Sequence, residues 1–275
     1  MTIASSALHP PGSTAARCSR VYGVLLRDIY TLRRNPPLVV EIIFWPTMEL
    51  IIWGCVSLFL QAHQVPTVIA GLLGAVVLWQ MACRPQGDLA RSFLEDVWAR
   101  NLLNVYVTPV ATTEYLIGLV LSGAIRIAAG VTLLASLAYL LFGFGVFTIG
   151  PALVPYVVLL TVMAWALGTF AIAMVVRFGQ SAQAFAWLLA FAFQPFSAVF
   201  YPLDVLPGPV QAIAHLVPAS YVFENMRAVL AGATPPWTGL ATAAVLDAAY
   251  VAGALLCLHR ALRHARSSGR LSRFG

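Results

Sequence analysis

Hydrophobic positions along the chain gather into six long runs, roughly 38–60, 66–83, 113–142, 148–176, 182–199 and 237–258. A bilayer's hydrocarbon core is about 30 Å thick and takes roughly 20 apolar residues per crossing helix. The pattern therefore predicts an all-α membrane protein with six transmembrane helices, spread over residues 37–260. Turn formers punctuate the runs at Asn35-Pro36-Pro37, Arg84-Pro85-Gln86-Gly87, Gly143-Phe144-Gly145, Phe178-Gly179-Gln180 and Pro235-Pro236, where glycine and proline end helices by opposite means.

Three polar stretches carry patterns of their own. In the N-terminal part, 1–36, Val21, Leu25, Ile29 and Leu32 fall near helical spacing while Arg20, Arg27 and Arg34 recur every seven residues. This predicts an amphipathic interfacial leader helix with arginines toward phosphates or a partner, the plainer reading being a charged topogenic flank. Between 84 and 110, Leu89, Phe93, Leu94, Val97, Trp98 and Leu102 form one face and Asp88, Arg91, Glu95, Asp96 and Arg100 the other. An amphipathic helix is expected there, packed under its own bundle or docked in a groove of another protein. Residues 200–236 are too rich in proline (Pro202, Pro207, Pro209, Pro218) to cross, yet apolar. They read as two short helices, near 208–216 and 219–230, dipping back from the outer face as a re-entrant hairpin.

Charge fixes the orientation. The chain holds sixteen arginines and no lysine. They cluster before the first run, in 84–110, at Arg177 and in the tail 261–275 with Arg260 just ahead of it, leaving Arg126 and Arg227 apart. The positive-inside rule then puts both termini and the 84–110 loop in the cytoplasm of a multi-pass protein of the bacterial inner membrane. With 60% hydrophobic and 9% charged residues, the +6 net charge reflects arginines meeting anionic headgroups rather than nucleic acid. Residues 1–16 lack the apolar core of a cleavable signal and read as an unstructured head.

Candidate chemistry is sparse. Cys18, Cys55, Cys83 and Cys257 have no ligand spacing, and His63, His215, His259 and His264 are solitary, so neither disulfides nor a metal site is expected. Neither Gly-x-Ser-x-Gly nor His-Glu-x-x-His occurs, and a P-loop needs a lysine that this chain lacks; it is not read as an enzyme and binds no cofactor of its own. Glu49, Arg126 and Asp247 fall near the midplane of their runs at about 1.5 Å rise per residue. They are expected to face one another, at least one acid pairing with Arg126, as a structural lock or as part of a path. Gly118 with Ser122, and Ala124 with Ala128, would let the third run approach another helix closely. Glu224 can pair with Arg227 three residues on.

The order of these parts resembles the type-two (export) permease subunits of ABC transporters. The resemblance rests on the basic leader, on Val107-Thr108-Pro109-Val110 followed by Glu114-Tyr115, and on Phe200-Tyr201-Pro202-Leu203, Leu206-Pro207, Val217-Pro218-Ala219-Ser220-Tyr221 and Arg227. Many relatives carry Ser-Gly where this chain has Ser197-Ala198, and an asparagine where Val217 stands. The resemblance implies a membrane subunit that pairs with a second permease, as homo- or heterodimer, and with a separate nucleotide-binding ATPase holding ATP and Mg. Its cargo would be an amphipathic, lipid-linked or polysaccharide-type molecule leaving the cytoplasm. It further implies an ATPase-coupling surface at Asp88, Arg91, Phe93, Leu94, Glu95, Trp98 and Arg100. An outer re-entrant gate would lie at Tyr201, Pro202, Pro207, Pro218, Glu224 and Arg227. The rival readings are a proton-coupled secondary carrier with Glu49, Arg126 and Asp247 as relay, and a nontransporting anchor for an enzyme.

Overall fold

The computed structural model describes residues 13–62, 68–98, 110–179 and 183–267, and among these there is no strand. The leader is helix α1 (Thr14–Arg33), begun by Ser13, whose hydroxyl accepts from the amide of Ala16. The apolar runs become α2 (Pro36–Ala62), α3 (Val68–Trp98), α4 (Thr112–Phe142), α5 (Leu153–Phe178), α6 (Gln183–Phe193) and α9 (Trp237–Ser267). Two short helices, α7 (Gly208–Ala214) and α8 (Pro218–Leu230), fill the proline-rich tract as expected.

Punctuation residues act where their backbone demands it. Pro36 opens α2, where its missing N–H costs nothing, and Gly143 closes α4 in a left-handed turn with φ 67°. Pro85-Gln86-Gly87 does not break the chain as expected. Instead α3 runs through it to Trp98, giving up only the bond Pro85 cannot donate. The 84–98 segment is thus the continuation of the helix begun at Val68 rather than a separate loop helix. Likewise the tail expected from 261 begins as the last turns of α9.

Among the described residues, four helices are long and apolar enough to cross a membrane, over Ile42–Ala62, Thr113–Phe142, Val146–Phe178 and Trp237–Ala265. The other two expected runs, 66–83 and 182–199, each extend beyond the residues whose side chains are described. Within the second of them α6 has 11 residues before a 3-10 turn at Gln194–Ser197, about 16 Å of helix.

Helix α5 is the hub: 67% of its apolar window is buried, against 22–28% for the other three, and it packs chiefly on α9 and α3. Small residues bring it close. A Cβ on Gly168 would lie 3.0 Å from the carbonyl oxygen of Gln86 and 3.1 Å from Leu89, the close-approach device of membrane bundles. Helix α8 turns back into this core, with Val222, Phe223 and Met226 fully buried and the Phe223 ring 6.3 Å from that of Trp79.

Among the described residues one non-glycine position carries strain. Ala198, two residues before the tract, is buried in the left-handed region at φ 51°, where a Cβ costs roughly 1–2 kcal/mol. Glycine, with no Cβ, would fit this position better. Ala198→Gly is expected to stabilise by up to about 1 kcal/mol once the extra freedom of unfolded glycine is subtracted, read as a raised thermal midpoint in detergent.

Candidate functional site

The richest polar construction lies where the leader meets the bundle. Along α1, Arg20, Val24, Arg27 and Asp28 share one helical stripe, and that stripe faces α4. Arg20 grips Glu114 with two bonds, Nε to Oε2 at 2.8 Å and Nη2 to Oε1 at 2.7 Å. This is the fork-to-carboxylate geometry that makes arginine pairs specific. Beside it, the Glu114 Oε2 also accepts from the amide of Ala111, closing the first turn of α4. One turn on, Val24 packs over Gly118, where a Cβ would lie 2.6 Å from Val24 Cγ1. A further turn on, Ser122 Oγ donates to Asp28 Oδ2. The three meetings, 20 with 114, 24 with 118 and 28 with 122, share one offset of 94 residues, so α1 and α4 run parallel over two turns. Arg27 adds its guanidinium 5.7 Å from the Tyr115 ring centre, within cation–π range. Outside this stripe, Arg34 caps the leader and is exposed.

Arg126 completes the construction. Its Nη1 lies 2.9 Å from Asp28 Oδ2 and its Nε 3.4 Å from Asp88 Oδ2, with Asp28 buried and the side chains of Arg126 and Asp88 only 11% and 12% exposed. Ser92 Oγ donates to Asp28 Oδ1 at 3.0 Å. One arginine thus joins the leader, α3 and α4. This corrects the expectation that Glu49 or Asp247 pairs with Arg126. Glu49 instead accepts from Gln80 Nε2 at 2.5 Å, and both Asp247 oxygens lack a hydrogen-bond partner. The acids that win, Asp28 and Asp88, sit on the leader and on the second half of α3, outside the six apolar runs.

The leader expectation is corrected in the same way. Arg20 and Arg27, expected to face phosphates or a partner, are turned into α4 because their stripe also carries Val24 and Asp28, the groups the leader buries. Asp28 was readable as the one acid in a helix with five arginines over 14–34. Ser122 and Gly118 were singled out for close approach, and it is the leader they admit; Ala128 of the other small pair is exposed.

Of the residues assigned to an ATPase surface, Asp88 is held by Arg126 and Phe93 is 6% exposed, in a cluster with Val24, Tyr115, Leu119 and Ile172. Phe93 therefore packs inside this chain. Arg91 is half-buried. The side chains of Leu94, Glu95 and Trp98 and the whole of Arg100 lie outside the described residues.

At the other end, Glu224 and Arg227 pair at 2.9 Å and together clasp the preceding turn. Glu224 Oε1 accepts from the Leu203 amide at 2.7 Å, and Arg227 Nη1 donates to the Val199 carbonyl at 3.3 Å. Tyr201 donates to the Pro195 carbonyl at 2.7 Å, and the Phe200 ring stacks on Trp53 at 4.3 Å. Partial burial holds the Tyr201 phenol above its ordinary range. Pro202 and Pro207 precede short helical turns and Pro218 opens α8. Sequence reading missed the brace beneath: Tyr156 of α5 donates to Asn225 Oδ1 at 2.5 Å, and Asn225 Nδ2 donates to the Pro236 carbonyl at 2.9 Å.

All four cysteines are free, and among the described residues no group of three or more metal-ligating side chains assembles. A search of the curated proteins returned no match. A family profile, that of the ABC-2 type transporter, matches residues 21–231, from the leader through α8. That membrane domain is a transport subunit rather than a catalyst, and such permeases generally dimerise and work with an ATPase subunit. With its apolar helices and its matched leader, core and proline-rich tract, the chain is a multi-pass membrane protein that belongs to the ABC-2 type transporter family.

Proposed function

We infer that the chain is the membrane half of an ATP-driven exporter, carrying an amphipathic, lipid-linked or polysaccharide-type molecule outward with energy from a separate ATPase. The observation that carries this reading is the leader–α3–α4 junction, within the segment matched to the family. It gives a force applied at the end of α3 a direct route into α4 and the leader. In this reading the junction end is cytoplasmic in a bacterial inner membrane, the chain crosses six times with α3 and α6 included, and two copies or two related permeases pair. The Glu224–Arg227 clasp and Tyr201 hold the outer tract that gates release.

Because Asp88 and Phe93 are engaged within the chain, the ATPase contact falls on the far end of α3, at Leu94, Glu95 and Trp98, with Arg100 beyond it. The test is co-purification of the partner ATPase with the detergent-solubilised chain. Trp98→Arg should reduce recovered ATPase at least tenfold while leaving insertion intact, whereas Phe93→Ala should lower thermal stability instead. Full recovery of ATPase with Trp98→Arg would remove this contact from the proposal, and transport in proteoliposomes without any ATPase would favour the proton-coupled carrier.

A further inference from the structure

Asp247 is the anomaly the exporter reading leaves unused. It sits ten residues into α9, within the apolar span, 2% exposed, and neither carboxylate oxygen has a hydrogen-bond partner. Buried polar side chains nearly always find a partner, and an ionised one away from water without a counter-charge is far costlier than its neutral form. Other acids of this chain follow the rule, since Asp28, Asp88, Glu114 and Glu224 each face an arginine. Asp247 does not.

Its surroundings hold no countercharge among the described residues. Helices α5 and α9 run side by side, with Ile172 and Val176 in the same cluster as Leu258 and Leu262. Asp247 lies on the buried stripe of α9 with Ala243, Ala254 and Leu258, and α9 packs chiefly on α5. The Thr161 hydroxyl is itself buried and unpartnered. Along the stretch of α5 up to Val176 there is no charged residue. On α8, Glu224 and Arg227 satisfy each other, and Asn225 is taken by Tyr156 and Pro236. The nearest titratable neighbour on α9 itself is Tyr250, whose hydroxyl donates to the Leu216 carbonyl at 3.2 Å. Phe193 of α6 meets the Tyr250 ring and adds no charge.

We propose that Asp247 is a proton-binding site, carried as a neutral carboxylic acid in the closed α5–α9 seam and ionising when that seam admits water. At 2% exposure the seam is sealed to anything as large as a hydrated cation or an amine, which leaves the proton as the ligand that fits. A carboxyl that gains and loses a proton as two helices part would tie the transport cycle to pH, a property that the ATP-driven reading does not require and does not supply.

The test uses a hydrophobic carbodiimide, dicyclohexylcarbodiimide, on the full chain in liposomes. The acid O–H adds across one N=C bond, the carboxylate oxygen joining carbon and the proton nitrogen, so the adduct keeps every atom of both reactants. Peptide mass spectrometry should find Asp247 modified at neutral pH, the apolar reagent entering from the lipid as the two helices part, and an added water-soluble carbodiimide should leave it unmodified. Asp247→Asn, isosteric with the protonated form, should insert and melt like the parent and lose the adduct. Two results would overturn the proposal. One is an unmodified Asp247 under conditions that label other carboxyls of the chain. The other is a strongly destabilised Asp247→Asn, which would show that the site needs an anion. Neither result bears on whether an ATPase drives export, which co-purification decides separately.

Discussion

Replacing Arg126 with alanine is expected to cost about 3–5 kcal/mol of stability, the usual result of leaving buried charges without their partner. The estimate applies because Arg126 is the shared counter-ion of Asp28 and Asp88, and removing it strands two carboxylates rather than one. Arg84 and Arg91 add positive field at Asp88, so Asp28, reached only through Arg126, Ser92 and Ser122 among its described contacts, should bear most of the loss. Two further variants separate charge from shape. Asp28→Asn in the Arg126→Ala background should recover part of the midpoint, since an amide can remain buried with the two serines. Arg126→Lys should fall between, because one ammonium cannot span both acids as the planar fork does. Thermal unfolding of the detergent-solubilised chain reads all three, and a midpoint for Arg126→Ala within error of the parent would show that the junction does not hold the leader.

Gly118→Leu is expected to pry the leader away from α4 without disturbing the rest of the bundle. A Cβ alone at this position would sit 2.6 Å from Val24 and 3.2 Å from the Val21 carbonyl oxygen, and the second of these atoms is backbone and cannot swing aside. Overpacking of this kind costs about 1–3 kcal/mol when a core must absorb it. Here separation of two helices is the easier response. Since the chain has no lysine, trypsin can cut only at arginine. Limited proteolysis should therefore show cleavage after Arg20 and Arg27 rising at least tenfold in the variant, with Arg34, already exposed, little changed. Unaltered protection of Arg20 would mean that the leader is held by something other than this contact.

The two predictions mark where the chain was legible and where it was not. The helices and their ends could be read because each depends on residues close in sequence: apolar runs for length, Pro36 and Gly143 for a start and a stop. The Pro85–Gly87 turn misled because a single proline forfeits one backbone bond, which a helix packed against Gly168 can bear. Partners were harder. Arg126 invited a search among acids in other apolar runs, but pairing depends on which helices lie side by side, and nothing local says that the leader lies along α4. The Glu224–Arg227 pair, three residues apart on one helix, needed no such knowledge and was readable. Phe93 shows the same limit from the apolar side, since an amphipathic face announces that it will be covered without saying by what.

The constant offset between the leader and α4 has a consequence for biosynthesis. During synthesis Arg20, Val24 and Asp28 emerge 94 residues before the groups that receive them. Throughout that interval two intervening helices are being delivered to the membrane while the leader waits undocked. The chemistry of the three positions differs, ion pair, methyl against glycine, then buried acid, so a slip of one turn in either direction would unmake both the Arg20–Glu114 pair and the Val24–Gly118 contact. The nascent leader can therefore bide its time without being captured in a wrong register, and seating it becomes a late checkpoint that only a correctly inserted third apolar stretch can pass.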